Sequence, residues 1–131
     1  MPATLTIRDE TLGGASFREW SLEVLSERMT VRELIRSRVY QEVQDYNQRQ
    51  PAEYHGLVQP TDAERTLNGY RLKKARQIDF REQLAKAIAA FGANQVLVLI
   101  NDKQAESLDE EFDVAPGTEV SFLKLTLLVG G

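Results

Sequence analysis

The sequence predicts an α+β fold, and three observations carry that prediction. Alternating apolar and polar residues near the N-terminus read as two strands separated by glycines. A capped segment with helical periodicity follows them. Apolar stretches at Val96–Ile100 and from Glu119 onward read as later strands. With 131 residues, the chain is expected to form a single domain over 1–131. It is 42% hydrophobic, enough to build a core, and 27% charged, enough to stay in solution.

The first strand centres on Leu5, Thr6, Ile7 and Arg8, whose alternation fits a half-buried strand. Gly13-Gly14 supplies a turn, because glycine accepts positive φ. In the second strand Trp20, Leu22 and Val24 share one face, with Glu19, Ser21 and Glu23 on the other. The pair is expected to form an antiparallel hairpin.

Thr30-Val31-Arg32-Glu33 has the spacing of a capping box, and Met29 and Leu34 stand at hydrophobic-staple positions. Val31, Leu34, Ile35, Val39, Val43 and Tyr46 mark one buried face of a helix running to about Asn47. Residues 48–78 lose this periodicity and read as an enlarged insertion. Within it, Thr61 and Glu64 suggest a second capping box and a short helix from Asp62 to Asn68.

Asp79 is placed to cap another helix, with Phe80, Leu84, Ala87, Ile88 and Phe91 on one stripe and Gly92 at its end. The continuous run 96–100 suggests a strand buried on both faces in mid-sheet. Asn101-Asp102-Lys103 and Pro116-Gly117 are turn sequences, with a short strand or link at Gln104 to Leu108 between them. Val120 and Phe122 on the core side would turn Ser121, Leu123 and Leu125 outward as an apolar strip, and Lys124 inward. A lysine on the core side is tolerable at a rim where it can snorkel.

Composition removes many chemistries. The chain has no cysteine and one histidine, His55, which excludes a disulfide framework and a cysteine nucleophile and argues against a multi-histidine metal site. No metal ligands and no catalytic residues are assigned, and the expectation is that the protein is not an enzyme. A net charge of −4 argues against nucleic acid as a general partner. Tyr70, Arg71, Lys73, Lys74 and Arg76 form a basic cluster that reads as a solvated face of the insertion. Asp109, Glu110, Glu111 and Asp113 lack the spacing of a calcium loop and read as a solvated turn. His55 reads as solvent-facing and Trp20 as packing. No apolar run approaches a membrane span and no basic-then-apolar leader is seen, so a soluble, cytoplasmic protein is expected.

The sequence closes on Leu127-Leu128-Val129-Gly130-Gly131, expected to be a flexible tail from about residue 126. Two residues without Cβ make a thread that enters a narrow active site, and the Gly131 carboxylate is a handle that needs no side chain. Adenylation by ATP would make it an electrophile for a thiol or sulfide, supplied by a partner because this chain has no thiol.

The strand order, the TVRELI start of the first helix, and the stretch from Pro116-Gly117 to Gly130-Gly131 resemble the ubiquitin-like β-grasp proteins. The resemblance covers about 4–47 and 79–131. It implies a mixed sheet with a main helix across one face and an enlarged helical insertion. From about Val96 the chain is most similar to the small sulphur carriers of molybdopterin and thiamine biosynthesis. Its length and Leu-Leu-Val ending look closer to bacterial ubiquitin-like proteins of conjugation-type defence operons. Ubiquitin carries basic residues before its two glycines, so the departure favours a dedicated bacterial partner.

The resemblance implies that Gly131 is activated and conjugated, with Gly130 giving access. It implies an adenylating, ATP-using activating enzyme docked at Leu123, Leu125, Leu127, Leu128 and Val129. A conjugating enzyme and a deconjugating protease would accompany it. No cofactor is expected to be bound by the chain itself. Three readings stand: a protein modifier, a sulphur carrier bearing a C-terminal thiocarboxylate, and a non-conjugated β-grasp interaction module. The length and the insertion favour the first.

Overall fold

The first strand of the chain and the last described one lie side by side. The computed structural model describes residues 3–10, 16–66 and 69–125. The elements, in order, are β1 (Ala3–Glu10), β2 (Ser16–Val24), β3 (Arg28–Thr30), α1 (Val31–Arg49), β4 (Ala63–Arg65), β5 (Tyr70–Leu72), α2 (Phe80–Gly92), β6 (Val96–Ile100), β7 (Lys103–Gln104), β8 (Glu111–Asp113) and β9 (Glu119–Lys124). The chain is therefore α+β, and no helix among the described residues is long and apolar enough to cross a membrane. It divides into two compact units: Met1–Leu34 with Ala90–Gly131, and Ile35–Ala89.

The first unit holds a mixed five-stranded sheet in the order β2-β1-β9-β6-β7. β1 and β2 form the expected antiparallel hairpin, with Leu5 opposite Leu22 and Ile7 opposite Trp20. The Gly13-Gly14 turn lies outside the described residues. β9 runs parallel to β1 on one side and antiparallel to β6 on the other. Alternation puts Leu5, Ile7, Leu22, Val24, Val96, Val98, Val120 and Phe122 in the core.

β6 differs from the expectation of burial on both faces. Val96 and Val98 are buried, whereas Leu97, Leu99 and Ile100 are half-buried. Its neighbour β7 pairs with only Leu99 and Ile100. Asn101 and Asp102 both have positive φ (49° and 68°), the conformation that lets a two-residue turn follow the twist of a hairpin.

β3 and β8, unforeseen in the sequence, pair as a two-stranded sheet and set the start of α1. The capping box forms: Thr30 N donates to Glu33 Oε1 and Glu33 N donates to Thr30 Oγ1, both at 3.1 Å. Val31 N and Arg32 N donate to the carbonyls of Glu110 and Leu108, each at 3.0 Å. Two further N–H groups that a helix start leaves unpaired are thereby satisfied. Residues 90–92 of α2 belong to this unit, and α2 ends at Gly92 as expected, although the glycine is not the left-handed residue. Asn94, at φ 60°, is the left-handed cap: Gln95 N reaches Ala90 O (2.9 Å) and Asn94 N reaches Phe91 O (3.1 Å).

The second unit buries Ile35, Val39, Val43, Tyr46, Tyr54, Leu57, Ile78 and Ala87. The expected helix Asp62–Asn68 is not formed, and the insertion is not helical among the described residues beyond the end of α1. Ala63–Arg65 is instead a strand paired antiparallel with β5, with Glu64 opposite Arg71. Asp62 has φ 56°, which a first helical turn cannot use. The Thr61 hydroxyl donates to Glu82 of α2 rather than capping toward Glu64. That bond, more than any other cause, holds the Glu82 carboxyl below its usual pKa. Asp79 caps α2 as expected, its Oδ1 accepting Arg81 N at 3.0 Å.

Candidate functional site

β9 is the strand that leads toward the diglycine, and the sheet face beside it is the candidate site. Leu123 stands opposite Leu97 of β6 and Glu10 of β1. Leu125 continues the pairing, its N donating to Gln95 O at 2.9 Å. Leu97, Leu99, Leu123 and Leu125 are all half-buried. Register and alternation place them on the face opposite the core. The expected strip at Leu123 and Leu125 is therefore present, and β6 widens it. Sequence reasoning assigned Leu97 and Leu99 to the core, because an unbroken apolar run hides which residues face out.

Ser121 corrects the expectation of an open position. It has the outward register but is buried, flanked by Arg8 on β1 and Leu99 on β6. Arg8 spans three strands here. Its Nε donates to Glu19 Oε2 (2.7 Å) and its Nη2 to Glu119 Oε1 (3.0 Å). The Glu19 hydrogen bond first, and the Glu119 charge second, hold the guanidinium above its ordinary pKa. The face is thus charged toward the start of β9 and apolar toward its end. Lys124 is buried on the Val120 and Phe122 side, as expected. Leu127, Leu128, Val129, Gly130 and Gly131 lie outside the described residues.

The acidic turn and Trp20 have local partners. Arg28 binds Glu111 (3.0 Å) and Asp113 (2.9 Å), and Arg32 reaches Asp109 (3.4 Å). The acidic turn is thus tied to β3 and α1. Arg18 stacks over Trp20 at 4.3 Å from the ring centroid. His55 is half-buried. Among the described residues, no group of three or more histidine, cysteine or acidic side chains is placed to hold a metal ion.

Sequence reasoning missed a buried polar cluster in the second unit. Arg38 Nε donates to Glu42 Oε2 at 3.1 Å, and both side chains are almost fully excluded from solvent. Leu57 N (3.1 Å) and the Tyr54 hydroxyl (3.4 Å) donate to Glu42 Oε1. Burial first, and the Glu42 charge second, push the Tyr54 phenol above its ordinary pKa. Gln83 is fully buried beside this group and donates to Val58 O at 3.1 Å. Arg38, Glu42 and Tyr54 are all buried, so the cluster reads as a packing element rather than a reacting one.

Comparison with protein families, curated proteins and solved structures finds no significant match.

Proposed function

We propose that the chain is a ubiquitin-like protein modifier built on a β-grasp sheet and activated at its C-terminal glycine. The observation that carries this reading is the parallel pairing of β9 with β1 inside the mixed sheet. An N-terminal hairpin beside a central, parallel last strand is the β-grasp arrangement. In this chain that strand continues toward Gly130-Gly131. The apolar strip beside β9 supports a docking role for the same end of the sheet.

In this proposal the Gly131 carboxylate attacks the α-phosphorus of ATP on an activating enzyme, and pyrophosphate leaves. A partner thiolate then attacks the acyl adenylate, releasing AMP and leaving a thioester. A target amine displaces the thiolate and forms an amide. Leu97, Leu99, Leu123 and Leu125 contact the activating enzyme, together with Leu127, Leu128 and Val129. Gly130 and Gly131 thread its active site.

Intact-mass analysis of the protein from its native host tests the proposal. The expected result is a set of higher-mass adducts that disappear when Gly131 is deleted. A free protein heavier by the difference between sulphur and oxygen would mean a thiocarboxylate and a sulphur carrier. Neither species, with function surviving the deletion, would leave a binding module.

A further inference from the structure

Charge is divided unevenly along this chain. The unit Met1–Leu34 with Ala90–Gly131 carries 13 acidic and 6 basic residues, whereas Ile35–Ala89 carries 7 acidic and 10 basic. Their cations also differ in how they are used. In the first unit Arg8, Arg28 and Arg32 are tied to carboxylates. In the second, Arg38 and Lys86 are paired with Glu42 and Glu82, but Lys73 and Lys74 are exposed, and neither has a carboxylate within ion-pair distance among the described residues. Arg71 reaches Glu64 at 3.9 Å, and Arg76 is turned onto the carbonyls of Thr61 and Gln77. The backbone beneath these cations is fixed by the β4–β5 pairing and by Lys73 N donating to Asp62 O at 3.0 Å.

The first unit displays a complementary element. Leu25, between β2 and β3, is 87% exposed, the most open large hydrophobic side chain among the described residues. Glu23 and Glu27 flank it, both exposed and, among the described residues, neither paired with a cation. The segment is held in place. Ser26 Oγ donates to Arg28 O at 2.6 Å, and Val114 N donates to Glu27 O at 2.7 Å. Arg28 is clamped by Glu111 and Asp113. A leucine presented rigidly between two free carboxylates costs little ordering entropy on binding.

We propose that two copies of this chain associate, the Leu25 segment of one seating on the Arg71, Lys73 and Lys74 surface of the other. Glu23 and Glu27 face the ammonium groups, and the lysine methylene stems cover Leu25. At physiological salt the Debye length is about 8 Å, so local patches rather than the net charge govern the contact. Nucleic acid is the weaker occupant for the basic surface. Tyr70 beside it is only 9% exposed and offers no ring for base stacking.

Sedimentation velocity of the full chain is the test. At low salt the wild type is expected to self-associate with rising concentration. At about 1 M salt, where the Debye length is about 3 Å, it is expected to be a monomer. Lys73→Glu/Lys74→Glu, Glu23→Lys/Glu27→Lys and Leu25→Ser are each expected to weaken self-association by about tenfold or more. Mixing the two charge-reversed variants is expected to restore a one-to-one complex that neither forms alone. Three results overturn the proposal: a monomer at every concentration and salt, association untouched by the reversals, or a monomer that binds a short RNA probe through Lys73 and Lys74. The salt titration of the wild type decides the matter even if a variant fails to fold.

Discussion

Glu42 accepts hydrogen bonds from the Arg38 guanidinium, the Leu57 N–H and the Tyr54 hydroxyl, and its side chain is 6% exposed. Such a pair is costly to desolvate, and its partners are what make the burial tolerable. Breaking it on one side therefore differs from removing it whole. Glu42→Ala leaves a buried guanidinium without its carboxylate and is expected to cost about 3–5 kcal/mol. The double change Arg38→Met/Glu42→Leu is expected to cost less than that single one. Urea unfolding midpoints check both, and a double variant weaker than Glu42→Ala would assign the pair a net stabilising role. None of this was legible in the sequence. Arg38 and Glu42 are four residues apart on a helix, the spacing of an ordinary exposed ion pair. Only the surrounding packing turns that pair inward.

At the scale of elements, local chemistry was readable where it was satisfied locally. The Thr30–Glu33 box needs only four consecutive residues, and it forms as its spacing says. Thr61 and Glu64 have the same spacing and form nothing of the kind, because Thr61 is taken by Glu82 and Glu64 faces Arg71. Gly92 is the last residue of α2, as the sequence suggests, but the left-handed cap falls two residues later on Asn94. The short strands β3 and β8 had no signature of their own, since three residues cannot show a period. The box has a measurable weight. Thr30→Ala removes the acceptor for Glu33 N and is expected to lower stability by about 1 kcal/mol, with Thr30→Ser nearly neutral. Denaturant midpoints of the two variants separate loss of the cap from loss of the threonine methyl. Equal losses would mean that the 108–110 carbonyls alone hold the helix start.

For the whole molecule, the decisive contact joins strands far apart in sequence. β9 hydrogen-bonds β1 on one side and β6 on the other, and it places Val120 and Phe122 in the core with no exposure. Periodicity told that a strand began near Glu119, but the parallel partner of that strand is more than a hundred residues away, and no local pattern encodes it. Without β9 the first unit keeps a β1–β2 hairpin and a β6–β7 ribbon with nothing between them. A two-stranded hairpin is marginal by itself in water. A chain ending at Thr118 is therefore expected to lose cooperative unfolding and amide dispersion for β1, β2 and β6. A chain ending at Leu125, which retains β9 and its bond to Gln95, is expected to keep both. Nuclear magnetic resonance spectra of the two truncations, with denaturant curves, make the comparison. If the chain ending at Thr118 still gave a dispersed sheet, β9 would be an addition to a preformed fold. Its burial between two strands argues for the opposite: the strand that leads to Gly131 is the one on which closing of the sheet depends.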